Sequence, residues 1–301
     1  MNIEDALSQA CDQVGIRPPR TVGYGKWILA DTLDGKRGKG DGRVMMTDHY
    51  VTAFNWKTGQ KATVSLTGQM DVKQQRRIAH DVRAEKERQK ARAERAARTA
   101  SNIVDAAQPA QHPYLVGKGF PGEKALVIDA EYLKRHVGDY LVCGERAIVM
   151  PARFGSRVTS VQLIWEDGTK KFLAGGEIGG SCDRIGKGAD TWLCEGLATG
   201  LSLRAALKGL RRADTILCCF SASNVAQVAR SVKDRTFIAA DHDNPVEQFG
   251  WKGTGEYYAE AAGKPYFMPP DEGTDINDFH MEKGIFALQK LVATFLRRAG
   301  K

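Results

Sequence analysis

The sequence predicts an α/β protein. Its C-terminal domain has a mostly parallel sheet flanked by helices, preceded by a strand-rich subdomain and a small α+β N-terminal domain joined by a long charged helix. Three observations carry this reading. The last third alternates short apolar runs with helical stretches of about ten residues, the rhythm of a parallel sheet covered on both faces. Residues 71–100 contain no Pro or Gly and are rich in good helix formers. From residue 22 to 66 the pattern is of short strand-like pieces separated by turn-forming loops. The expected boundaries are 1–70 for the N-terminal domain, 71–110 for the helical connector, 111–188 for the strand-rich subdomain and 189–301 for the C-terminal domain.

Along the chain, a short helix ends near Gly15 and the Pro18–Pro19 pair. The strand pieces GKWILAD, GRVMMTDHYVTAFNW and KATVSLTG follow, divided by the loops DGKRGKGDG and NWKTG. Lys36, Arg37 and Lys39 in the first loop suit either a phosphate contact or a solvated turn. Between Lys73 and Arg98 ten Lys or Arg face four acids, so the charge of the chain, +8 overall, is concentrated there. A regular apolar seam for a coiled coil is missing. The segment reads as a solvated connector, or as a positive face for a polyanion.

After a small helix near Ala130–His136, the runs DYLVCG, RAIVMPAR, VTSVQLIWE and KKFLAG read as strands. Alternation through SVQLIWEDGTKKFL predicts a half-exposed antiparallel pair. Then TWLCEG, TILCCF, TFIAADHD and PYFMP read as strands separated by helices. MEKGIFALQKLVATFLRRAG reads as one terminal helix.

Composition excludes several classes. No apolar run reaches the length of a membrane span. The opening MNIEDALSQACDQVG lacks the order of a secretory signal, so the expected location is cytoplasmic, with no membrane partner. The six cysteines never form a CxxC pair, which argues against zinc; Cys194, Cys218 and Cys219 lie in apolar runs and read as buried thiols.

The chemistry lies at strand ends. Glu195 closes the first strand of the last third; Asp241 and Asp243 close the third. Carboxyl ends of parallel strands point the same way, so these acids can converge, and three adjacent carboxylates call for a cation. Oxygen donors without a His/Cys cluster favour Mg²⁺, with Mn²⁺ as the alternative. Such a site supports phosphoryl transfer without fixing its direction. Asp275 and Asp278 form a further acidic turn, read as an outer contact and a helix cap respectively. Arg146, Arg153, Lys170 and Lys171, on the preceding strands, are candidate contacts to triphosphate or template. Lys252, with Gly253 and Gly255, is a candidate phosphate support. His242 lies between the aspartates, with its side chain expected to point away from both.

WLCEGLATGLSL, FIAADHDN and GTDINDFH resemble the three signatures of the Toprim domain of bacterial-type primases, topoisomerases and certain nucleases. HPYLVGKGF, RAIVMPARFGSRVTSVQLIWEDGTKKFLAGG and FSASNVAQVARSV, with FNWKTG upstream, resemble the primase region of phage and plasmid primases. The likeness covers about residues 20–280. It implies that Glu195 serves acid–base chemistry or metal organisation, that Asp241 and Asp243 bind metal, and that Asp275 and Asp278 belong to a downstream acidic motif. It also implies that Arg146 and Lys171 lie in the region lining a basic cleft. The implied activity is DNA primase: short RNA primers made on single-stranded DNA from nucleoside triphosphates, with release of pyrophosphate. A Toprim-type nuclease and a non-catalytic DNA-binding replication protein are the alternatives. The chain departs from bacterial primases in lacking a zinc-module Cys/His cluster, and from primase–helicase fusions in lacking GxxxxGK[ST]. A separate replicative helicase is therefore an expected partner.

Overall fold

The computed structural model of the chain describes residues 2–21, 23–33, 35–66 and 72–299. Val22, Asp34, the last two residues of KATVSLTG, residue 71 at the start of the expected connector and Gly300 in the expected terminal helix lie outside them. The chain divides into two compact units, Met1–Ala91 with Glu247–Gly250, and Arg92–Val246 with Trp251–Lys301.

In the first unit, helix α1 (Ile3–Gln13) starts at Asn2, whose side chain accepts from the Asp5 N–H at 2.7 Å. Its buried Ala6, Leu7, Ala10 and Cys11 recur at helical spacing and pack on an antiparallel sheet. That sheet runs in sequence order: β1 (Trp27–Ala30), β2 (Gly42–Met46), β3 (Tyr50–Asn55) and β4 (Lys61–Ser65). Alternation buries Val44, Met46, Val51, Ala53, Ala62 and Val64 towards α1 and leaves Trp27 and Leu29 exposed.

Helix α2 (Val72–Ala106) is six residues longer than the expected end at Ala100. The mixed-charge reading saw a solvated connector, but within the second unit this helix has a buried stripe, Ala96, Ala100 and Ile103, followed by Ala107 just past its end. Alanine was read as a helix former alone; here it also brings the helix close to a sheet.

That sheet is β5 (Gln108–Ala110), β6 (Ala125–Asp129), β7 (Arg146–Phe154), β8 (Arg157–Trp165) and β9 (Lys170–Phe172), in that order and antiparallel throughout. Helices α3 (Pro113–Gly117) and α4 (Ala130–His136) lie between β5 and β7 in sequence. Of the expected half-exposed pair, β9 is exposed along its length, while β8, like its neighbour β7, is covered on both faces. Ala147, Val149, Val161, Leu163 and Trp165 face the core that includes α2. Ile148, Met150 and Ile164 face the core of the C-terminal region. DYLVCG is not a strand: Gly138, at φ 135°, leads into a short 3₁₀ turn over Asp139–Leu141. The strand in this stretch is β6, which the sequence reading did not mark.

The C-terminal sheet has the order β10 (Asp183–Ile185), β12 (Thr215–Cys218), β11 (Thr191–Cys194), β13 (Thr236–Ala239), β14 (Tyr266–Phe267). All its pairings are parallel except the edge pairing of β10. Helices α5 (Leu197–Gly209), α8 (Ile276–Lys283) and α9 (Ile285–Ala299) pack together. Residues of all three join Trp192, Cys194, Phe237 and Phe267 in one core. Residues of α6 (Ala222–Ala229) and α7 (Thr254–Ala262) join Leu193, Ile238 and Ala240 in the core on the other face. Cys194, Cys218 and Cys219 are buried free thiols. The single terminal helix is broken: Gly284 has φ 82°, a conformation that favours glycine, and separates α8 from α9. Among the described residues no helix is long and apolar enough to cross a membrane.

Candidate active site

β11 and β13 are hydrogen-bonded neighbours running the same way, so their carboxyl ends deliver Glu195 and Asp241 to the same rim. Both line a cavity of about 370 Å³ together with Asp275, Lys170, Lys118 and Tyr114. In open α/β sheets, the crevice outside the strands' carboxyl ends is where ligands bind.

The electrostatics are those of negative groups held close together with little water. Burial, then the charge of Asp243, pushes the Glu195 carboxyl up to about 7; the Ala222 N–H and Lys170 oppose the rise. Ala222 opens α6, so Glu195 is held by a helix N-terminus. Burial, then Glu195, Asp275 and Asp243, pushes Asp241 up to about 8. Its Oδ1 is buried and, among the described residues, has no hydrogen-bond partner. An unsatisfied buried carboxylate oxygen is costly. A second acid, another carboxylate nearby and an ammonium across the cavity give the site the charge and hard oxygen donors that a divalent cation takes. The acids ring the cavity and do not form a ready-made cage: among the described residues, no group of three or more His, Cys, Asp or Glu is placed to hold a metal ion.

Asp243 is placed differently from the other two. Its Oδ2 accepts from the Gly255 N–H at 2.8 Å, in the first turn of α7, and it does not line the cavity. Gly253 and Gly255, read as a phosphate support, are here because the acidic strand end passes against them. A Cβ on Gly255 would stand 2.2 Å from the Asp241 carbonyl oxygen, and one on Gly253 would stand 2.3 Å from that of Asp243. Gly255→Ala must therefore displace the backbone that carries the acids. A loss of about 2–3 kcal/mol is expected, read as a lowered Tm in thermal unfolding. A variant as stable as the parent would contradict this packing.

The remaining expected residues separate. Lys170 lines the cavity. Lys170 pairs with Ile164 and Lys171 with Leu163, so strand alternation puts Lys171 on the opposite sheet face. Arg146 is exposed at the start of β7; its N–H donates to Glu166 Oε1 at 2.7 Å. Arg153 lines a different cavity. Lys252 pairs with Glu260. Asp275 and Asp278 form a reciprocal cap at the start of α8: Asp275 Oδ1 accepts from the Asp278 N–H at 2.8 Å, and Asp278 Oδ2 from the Asp275 N–H at 3.2 Å. Asp278 also meets Lys118 at 3.7 Å. His242 turns to the backbone, with Nδ1 2.9 Å from the Pro269 carbonyl.

Several lining residues were not anticipated, among them Gln162, Tyr114, Lys118 and Phe220. Tyr114 is buried, and burial followed by Asp275 and Asp278 raises its hydroxyl to about 12, so it stays a neutral donor. Lys118 brings a second ammonium. Phe220 has φ 71° at the turn between β12 and α6, where its N–H donates to the Glu195 carbonyl at 2.8 Å. A bulky residue in left-handed backbone is costly and concentrates at functional turns. HPYLVGKGF and CCFSAS held the last three, but nothing in their spacing revealed that they meet the acids.

Residues 190–285 match the Toprim domain. The Toprim-like region thus contains β11 to β14, the helices between them, and Glu195, Asp241, Asp243, Asp275 and Asp278. Two solved structures also resemble the chain. One is a chain from the structure of bacteriophage T7 lagging-strand DNA polymerase interacting with primase domains of two gp4 subunits bound to an RNA/DNA hybrid and dTTP. It has 14% identity, covers 51% of this chain and 78% of that one, and has a TM-score of 0.36. The other is the primase fragment of the bacteriophage T7 primase–helicase protein, with 15% identity, 50% and 64% coverage and a TM-score of 0.37. The chain spans 64% of that fragment, and likenesses this low extend no activity to it.

Proposed function

We propose that the chain is a DNA primase whose Toprim-like region joins nucleoside triphosphates on a single-stranded DNA template. The observation that carries this reading is the convergence of Glu195 and Asp241 on one buried rim, with Asp241 Oδ1 lacking a partner among the described residues and Lys170 opposite. Asp241 and Glu195 would hold Mg²⁺ or Mn²⁺, with Asp275 beside them and Asp243 supplying charge from its tether on α7. The ion, when bound, supplies charge neutralisation at the transferring phosphorus and lowers the pKa of the attacking hydroxyl.

The chain's own residues do the rest. Lys170, in the same cavity, orients triphosphate oxygens and offsets the charge that develops as pyrophosphate leaves. Glu195, on the same rim, is the carboxylate placed to accept the proton of the attacking 3′-hydroxyl. Tyr114 donates a hydrogen bond without ionising. Arg146 and Lys171, outside the cavity, are assigned to template phosphates. In the first unit, Arg37 and Lys39 line a cavity of about 530 Å³ with Arg17 and Arg20, a second basic surface suited to the template. Such phosphate contacts make binding salt-dependent. A separate helicase remains the proposed partner.

The test is incubation with single-stranded DNA, Mg²⁺ or Mn²⁺ and labelled nucleoside triphosphates. Template-dependent short products are expected. Degradation of the DNA without synthesis would assign the site to a nuclease, and neither outcome in the presence of template would leave the chain a non-catalytic binder.

A further inference from the structure

A second cavity, of about 380 Å³, lies between the middle sheet and α5, and it shares no lining residue with the acid-lined one. We propose that this cavity binds a nucleoside phosphate, without a metal ion, at a site separate from the acids. Its volume suits a small ligand.

The walls, the interior and the rim differ in chemistry. Ile148 and Met150 of β7, Ile185 of β10, and Leu197 and Leu201 of α5 give apolar walls that suit a flat ring. Asp183 brings a carboxyl among them. Burial raises it to about 6, in spite of the Arg184 N–H and the Arg153 and Arg184 guanidiniums. Among the described residues only one of its oxygens accepts a hydrogen bond, from the Arg184 N–H at 3.0 Å. A polar group in such a place suits a ligand whose apolar body carries a ring N–H or amine, which a nucleobase does and an aliphatic acid does not.

The rim selects charge. Lys124, Arg153 and Arg184 line the cavity, and among the described residues none of their side chains donates a hydrogen bond or forms an ion pair. Arg204, by contrast, is committed to Glu123 through two hydrogen bonds of 3.2 and 2.6 Å. Three cations without a side-chain hydrogen bond among the described residues, two of them also felt by the Asp183 carboxyl, rim an apolar slot and match a base with a phosphate chain attached. α5 separates the two cavities: Ala198 and Thr199 line the acid site, while Leu197, Leu201 and Arg204 line this one. The inference does not depend on the proposed primase activity.

Calorimetric titration of the full chain with GTP and with ATP in EDTA tests it. One site per chain is expected, retained within twofold in the Asp241→Asn/Asp243→Asn variant. Affinity should fall at least tenfold in Arg153→Gln/Arg184→Gln. Lys124 is exposed, so Lys124→Glu leaves the fold intact and should cost threefold or more even if the double variant proves unstable. Three results would each overturn the proposal: no binding at millimolar nucleotide, loss of binding in the acid variant, or tripolyphosphate binding as tightly as the nucleotides. Since neither template nor metal is present, the outcome is separate from that of the synthesis assay.

Discussion

Asp241→Asn is expected to abolish metal-dependent synthesis while making the metal-free protein more stable at alkaline pH. The activity loss should reach a thousandfold or more, about 4 kcal/mol of transition-state stabilisation. The stability gain follows from proton linkage. Asp241 and Glu195 are raised from the ordinary 3.8 and 4.5 to about 8 and about 7. Between those limits the folded protein holds protons that the unfolded chain has lost. Stability is therefore fully present below the ordinary carboxylate range and falls as pH rises through 7 and 8. An amide at position 241 removes much of that slope. The gain at pH 9 should be on the order of 2 kcal/mol, several degrees in Tm, less than the whole displacement would give because water and partners relax around the charged pair. A divalent ion should reverse the order, raising the Tm of the parent at pH 9 and not that of the variant. Thermal unfolding between pH 5 and 9, with EDTA or Mg²⁺, checks each part. A parent whose stability is flat across that range would contradict the electrostatic description.

Lys170→Met should lower kcat/KM at pH 7 by about ten- to a hundredfold and move the rising limb of the pH profile upward by about half a unit to one unit. Lys170 opposes the rise in both Glu195 and Asp241, so its loss leaves the acids protonated to higher pH, where they compete poorly for a cation. Lys171→Met, on the opposite face of the same exposed strand, removes only a template contact and should leave the pH profile in place. Neither change should alter stability by more than about 0.5 kcal/mol. The pH displacement separates an electrostatic role from a structural one. Equal effects from the two lysines would contradict the register of β9.

The acids were legible because the rule behind them is topological. A run such as TFIAAD is a strand in any parallel sheet, and its carboxyl end faces the same rim as that of TWLCE whatever the strand order. Which lysine joins them was not legible: the two differ by one residue, and the phase of β9 depends on its pairing with β8. The turn of Asp243 towards Gly255 was not legible for a similar reason, since it depends on how closely α7 approaches the strand end. The covered middle sheet was hidden because its second face is closed in part by alanines of α2, whose small side chains give little hydrophobic signal in a charged sequence. β6 escaped notice because Asp129 ends the strand and directly precedes α4, leaving no turn to mark the change. DYLVCG misled because its apolar residues follow a glycine that turns the backbone away from extension.

The central claim is that buried, proton-holding acids at one strand rim exchange their protons for a divalent cation. Potentiometric titration of Mn²⁺ into the full chain at pH 7.5 measures this directly. Release of a substantial fraction of a proton or more per bound ion is expected, shrinking at pH 9 and absent in Asp241→Asn. Mn²⁺ binding with no proton release, or with the same release in the variant, would contradict it.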